Sequence, residues 1–210
     1  MDDTSTWNLI HGERAAIADT LSTLAPDQWA TPSLCGGWTV QMAAGHIVMS
    51  GEQTPGLFMK GMLSHGFRFN TMMDRQARAA GAQPTATIIE RIRARTTTTN
   101  KPPGPAQTML GEVLVHSEDI RRPLGLAHTP DPAALVACLD MYKKANFPVG
   151  AKKRIAGLRL QATDLDWSYG DGPEVAGPAL SLLMMVTGRA AGLDGLSGEG
   201  VPTLQGRMAG

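Results

Sequence analysis

Several things are scarce in this chain of 210 residues, and each scarcity closes off a class of function. Charge of one sign is missing: 19 basic side chains meet 19 acidic ones, so no net field draws the protein to nucleic acid or an anionic membrane. Aromatic residues make up only 5%, too few for a base-stacking surface. The two cysteines, Cys35 and Cys138, are far apart and show no Cys-x-x-Cys spacing, which excludes a cysteine-rich zinc site. Reduced thiols in a cytoplasmic protein are expected in preference to one disulfide. No apolar run reaches the ~18 residues that a membrane span needs. The opening "MDDTSTWNLIHGER" lacks the basic and then apolar pattern of a signal peptide, so the expectation is a soluble, cytoplasmic protein.

Apolar residues are plentiful at 42%, enough for a core in one large domain or a domain with a small companion. The apolar spacing predicts a first helix over 5–24 and a second from Thr39 to about Glu52, with Thr39 as N-cap and Trp38 as its hydrophobic staple. The stretch 53–73 reads as further helix interrupted near Pro55. A third helix follows Pro84, and a fourth runs from near Ala106 to Pro123. Beyond residue 130 the character changes. A helix capped at Asp131 precedes a period-two segment from Leu158, a hairpin signal at Asp171-Gly172, and an apolar helix, "GPALSLLMMVTGR".

The fourth helix carries the first chemical candidate, in "LGEVLVHSEDIRRPLG". At 100° per residue, His116 lies about 40° and Asp119 about −20° from Glu112, while Met109, Val113, Ile120 and Leu124 fall between about 60° and 120°. Glu112 and His116 therefore border the apolar stripe, and Glu118 and Arg121 fall on the far side, where solvated charges belong. A carboxylate and an imidazole four apart, ~5–6 Å between Cβ atoms, can close on one cation. Such donors suit Zn²⁺, Ni²⁺ or Fe²⁺. A plain His–Glu contact at a helix edge satisfies the same pattern. Helix two adds His46 beside a core-facing stripe with Trp38, Met42 and Met49. Three ligands from two helices would match a catalytic metal site with an open position.

The remaining polar candidates have simpler readings. His11, His65, His128 and Cys35 read as packing or surface residues. Arg121 and Arg122 complement a helix C-terminus. Asp119 is either an acceptor that fixes a ligand ring or a solvated helix-end charge.

The blocks "PSLCGGWTVQMAAGHIV", "LGEVLVHSEDIRRPLGL" and "FPVGAKKRIAGLRLQATDLDWSYGDGPEVAGPALSLLMMVTGR" resemble the mycothiol-dependent maleylpyruvate isomerase-like proteins of the DinB-like metalloenzyme superfamily. The resemblance implies an α+β fold: a DinB-like four-helix bundle over residues 1–130, then a small sterol-carrier-protein-like α/β domain over 131–210. It implies a divalent metal, Zn²⁺ in most members, held by His46, Glu112 and His116. It also implies mycothiol as thiol co-substrate in an isomerase or transferase acting on a small molecule. Arg159 and Arg189 are the candidates for the arginine which that family uses in its second domain. Two other readings stay open: a metal-dependent hydrolase, and a non-catalytic module that binds a small apolar ligand among the 12 methionines, Met184 and Met185 included.

Overall fold

A computed structural model describes residues 2–208. The chain divides into two compact units, one ending at Thr129 and the other starting at Pro130. The fold is α+β, with helices throughout and a single three-stranded sheet among the described residues. No helix in them is long and apolar enough to cross a membrane.

The first unit contains α1 (Asp3–Ser22), α2 (Val40–Glu52), α3 (Pro55–Ser64), α4 (Phe69–Gly81), α5 (Thr85–Arg93) and α6 (Gln107–Arg121). The four helices expected from the sequence are α1, α2, α5 and α6, and the ambiguous stretch after residue 53 supplies α3 and α4. Local chemistry sets the starts. The Asp2 carboxylate accepts from Ser5 N at 2.7 Å, and the Thr39 hydroxyl accepts from Met42 N at 3.3 Å. Thr54 caps α3, and Pro55 occupies its first turn. Trp7, Ile10, Ile17 and Leu21 of α1 face inward at helical spacing.

Small residues let α2 lie close to α4. A Cβ on Gly45 would come within 2.7 Å of Gly81 Cα and 2.9 Å of Ala77 O. Reciprocally, a Cβ on Gly81 would come within 2.9 Å of Met42 Cα. The glycine beside His46 thus permits close helix contact, at a propensity cost of ~1 kcal/mol against alanine.

In one respect α6 departs from the sequence reading. Glu118 and Arg121, expected on a solvated face, are 3% and 1% exposed. The helix is not one-sided, because α1 packs on it as α2 does. Arg121 reaches Thr20 Oγ1 on α1 at 3.2 Å, and Arg122 Nε donates to Glu118 at 3.3 Å.

The second unit contains α7 (Pro132–Tyr142), α8 (Ala151–Arg154), β1 (Arg159–Ala162), β2 (Ser168–Tyr169), β3 (Glu174–Gly177), α9 (Ala179–Val186) and α10 (Val201–Met208). Asp131 caps α7 through Ala133 N at 2.7 Å, as its sequence predicts. The sheet order is β2-β1-β3, with β1 antiparallel to β2 and parallel to β3. Asp171-Gly172 therefore closes no hairpin: the chain leaves β2, passes the end of β1 and pairs on its other edge. Gly170 and Gly172, at φ +82° and +130°, make this crossing, and side chains there would strike the carbonyls of Leu158 and Gly157. α9 is buried along nearly its whole length, Met184 and Met185 included, so these two methionines are core.

Gly45→Ala should lower stability by ~1–3 kcal/mol through overpacking, despite the helix propensity it gains. Urea denaturation measures this, and unchanged or higher stability would show that α2 and α4 can separate at no cost.

Candidate metal centre

α2 and α6 bring together the three residues singled out by the sequence. His46 Nε2 lies 2.8 Å from Glu112 Oε2, and His116 Nε2 lies 3.6 Å from the same oxygen. The two imidazoles meet edge to face, with centroids 4.3 Å apart at 69°. One donor atom from each residue fits within a 4.8 Å cluster. His46 is buried, while the Glu112 side chain keeps 29% of its surface, so the cluster is reached from the Glu112 side.

Asp119, for which the sequence left open a role as acceptor to a ligand ring, and Cys35, read as a packing residue, hold the second ring. His116 Nδ1 lies 2.9 Å from Asp119 Oδ2 and 3.4 Å from Cys35 Sγ, and the Cys35 thiol donates to Asp119 Oδ2 at 3.0 Å. Asp119 is fully buried, and its carbonyl accepts from Leu34 N at 3.0 Å, tying the loop before α2 to α6. Because a carboxylate only accepts, the proton of a neutral His116 sits on Nδ1 and its Nε2 lone pair points at Glu112. Trp38 lies against both rings, with centroids 5.2 Å from His46 and 6.2 Å from His116. Its Nε1–H donates to Asp74, which also holds Arg78. Trp38 thus walls the cluster.

The electrostatics of the two rings differ. Burial, then the neighbouring His116 charge, push His46 below its ordinary pKa against the pull of Glu112. Burial also opposes protonation of His116, but its bonds to Asp119 and Cys35 and the charge of Glu112 lift it to about 10. Two carboxylates and one cationic imidazole leave this cluster with excess negative charge. A carboxylate oxygen facing two imidazole nitrogens is a donor set suited to a divalent cation of the zinc class. The residues present therefore fit such a metal. His46 Nδ1 is buried with no hydrogen-bond partner, so no polar group holds that ring from behind, whereas Asp119 holds the other. Cys35, His116 and Asp119 form a second set whose donor atoms also lie within 4.8 Å of one another.

The other candidates lie elsewhere. His11 Nε2 is 3.0 Å from Thr98 O, His65 Nδ1 is 2.9 Å from Gly61 O, and His128 pairs with Glu13 at 3.0 Å. In the second unit Arg159 is exposed and 3.8 Å from Glu174, and Arg189 donates to Thr187 O at 2.9 Å. The approach of Cys35 to His116 had no sequence signal beyond its place before the cap of α2.

Comparison with known proteins bears on the same segment. Residues 10–121, a little over half the chain, match the family model described as the mycothiol maleylpyruvate isomerase N-terminal domain. Two solved structures share the fold: the mycothiol-dependent maleylpyruvate isomerase, with TM-score 0.67, and a mutant of it, with TM-score 0.66. Each is 15% identical, and the alignment covers 95% of this chain and 93% of the other. No curated protein matches the sequence.

In metal-free protein, Asp119→Ala should cost about 1–3 kcal/mol, because His116 Nδ1–H loses its buried acceptor. Denaturation of chelator-treated variant and wild type tests this, and equal midpoints would show that Asp119 does not hold the ring.

Proposed function

The chain belongs to the mycothiol maleylpyruvate isomerase N-terminal domain family, and from that premise we propose that it is a divalent-metal-dependent enzyme that activates a low-molecular-weight thiol. The thiol is mycothiol, and the reaction is isomerisation or transfer on a small electrophilic substrate. The observation that carries this reading is the convergence of His46, Glu112 and His116 on one 4.8 Å cluster inside the family-matched segment. His46 Nε2, a Glu112 oxygen and His116 Nε2 would hold the metal, with Zn²⁺ the best match to two nitrogens and one oxygen. When bound there, the cation supplies a charge that favours thiolate over thiol at neutral pH.

The chain's own residues prepare that chemistry. Asp119 accepts from His116 Nδ1–H, so Nε2 is the nitrogen that would ligate once a metal displaces its proton. Trp38 covers one side of the imidazoles and keeps water off them, which strengthens the local electrostatics. The partly exposed Glu112 marks the side by which a thiol and its substrate enter. A cytoplasmic location follows from this reading, since low-molecular-weight thiols stay reduced there.

Metal-loaded protein should gain thermal stability from mycothiol, ~2.7 kcal/mol at about 100 Kd, while His46→Ala gains none. An identical transition with and without the thiol at every concentration would remove the thiol from the proposal. The ligand assignment has its own test. Glu112→Gln and His116→Ala should lose the metal on dialysis, and Cys35→Ser should retain it. Loss in Cys35→Ser with retention in Glu112→Gln would move the site to the second set, Cys35, His116 and Asp119.

A further inference from the structure

The second unit has a pocket of about 440 Å³ with an unusual lining: Gly150, Lys153, Arg154, Gly206 and Arg207. Three of these five residues carry a positive charge, and no acidic residue lines the pocket. Among the described residues no carboxylate pairs with Lys153, Arg154 or Arg207. The ion pairs of this unit lie elsewhere, at Lys143–Asp140 and Arg159–Glu174.

Both guanidinium groups are fixed in place. Arg154 Nη1 donates to Val149 O at 3.0 Å and Val186 O at 2.6 Å. Arg207 Nη1 donates to Arg154 O at 2.6 Å and Ala156 O at 2.9 Å, which ties α10 to the end of α8. These bonds account for one nitrogen of each fork, and a guanidinium has five N–H donors. They do not account for Lys153, whose side chain makes no hydrogen bond or ion pair among the described residues, nor for three cations that line one pocket with no carboxylate partner among those residues. Burial, then the charge of Arg189 outside the pocket lining, push Arg154 below its ordinary pKa. The two glycines leave the lining bare, and a Cβ on Gly206 would meet nothing within 4 Å.

We propose that this pocket binds a phosphate-bearing small molecule, with Arg154 and Arg207 as fixed donors and Lys153 as a mobile cation. A tetrahedral dianion can use donors from all three cations that line the pocket, whereas a planar carboxylate is satisfied by one arginine fork. The volume lies within the ~300–1,000 Å³ of small-molecule sites, so it has space for the body of a phosphate ester along Gly150 and Gly206. The site is independent of the metal centre and of the thiol reading.

Isothermal titration of the full chain with inorganic phosphate, against acetate and at constant ionic strength in chloride, tests it. Wild type should bind phosphate saturably and more tightly than acetate. Lys153→Gln and Arg207→Gln should each weaken binding about tenfold, the worth of one charge-assisted hydrogen bond, and Lys153→Arg should restore it. Because Arg207 also anchors α10, Lys153→Gln is the decisive variant: its side chain supports nothing else. Heat that does not saturate, an affinity unchanged in Lys153→Gln, or acetate binding as tightly as phosphate would each overturn the proposal.

Discussion

One carboxylate oxygen between two imidazole nitrogens organises the first unit. Glu112 Oε2 faces His46 Nε2 at 2.8 Å and His116 Nε2 at 3.6 Å, within a helix bundle where unpaired polar groups are costly. The geometry holds only if α2 turns His46 inward and α6 presents two successive turns to it. α2 can do so because Gly45 and Gly81 let it sit tightly on α4. α6 can do so because α1 and α2 enclose it, burying Glu118 and Arg121 along with the apolar stripe.

The cluster is also held from behind. Asp119 and Cys35 fix the His116 ring through Nδ1, and Trp38 lies against both rings. Opposed electrostatic effects follow: His46 is driven toward its neutral form and His116 toward its charged form. With two carboxylates nearby, this arrangement is short of positive charge. A divalent cation would supply that charge, and the family to which residues 10–121 match gives the proposed chemistry a direction.

Much of the fold could be read locally, and what could not depended on distant partners. Thr39 and Asp131 cap helices because a side-chain oxygen meets a backbone N–H two or three residues on, a relation wholly inside a short window. Glu112 and His116 were neighbours by helical spacing alone. Their convergence with His46 joins positions 66 residues apart, and the inward-facing stripe of α2 together with the resemblance pointed to it. Cys35 meets His116 across 81 residues and gave no local sign of doing so. The helical wheel misplaced Glu118 and Arg121 because it assumed one buried face, whereas α6 is covered on two. Asp171-Gly172 does turn the chain, but strand pairing is a non-local choice, and β3 takes the far edge of β1.

The second unit differs in kind. Its core is apolar and complete, with α9 buried against the sheet, and its distinctive chemistry is the unneutralised basic pocket formed by α8 and α10. The account of the first unit rests on a single claim, that the His46–Glu112–His116 cluster is built for a divalent ion. Metal analysis of the wild-type chain after reconstitution with Zn²⁺ and dialysis tests it most directly. Close to one ion per chain is the predicted result, and less than ~0.2 per chain would contradict it.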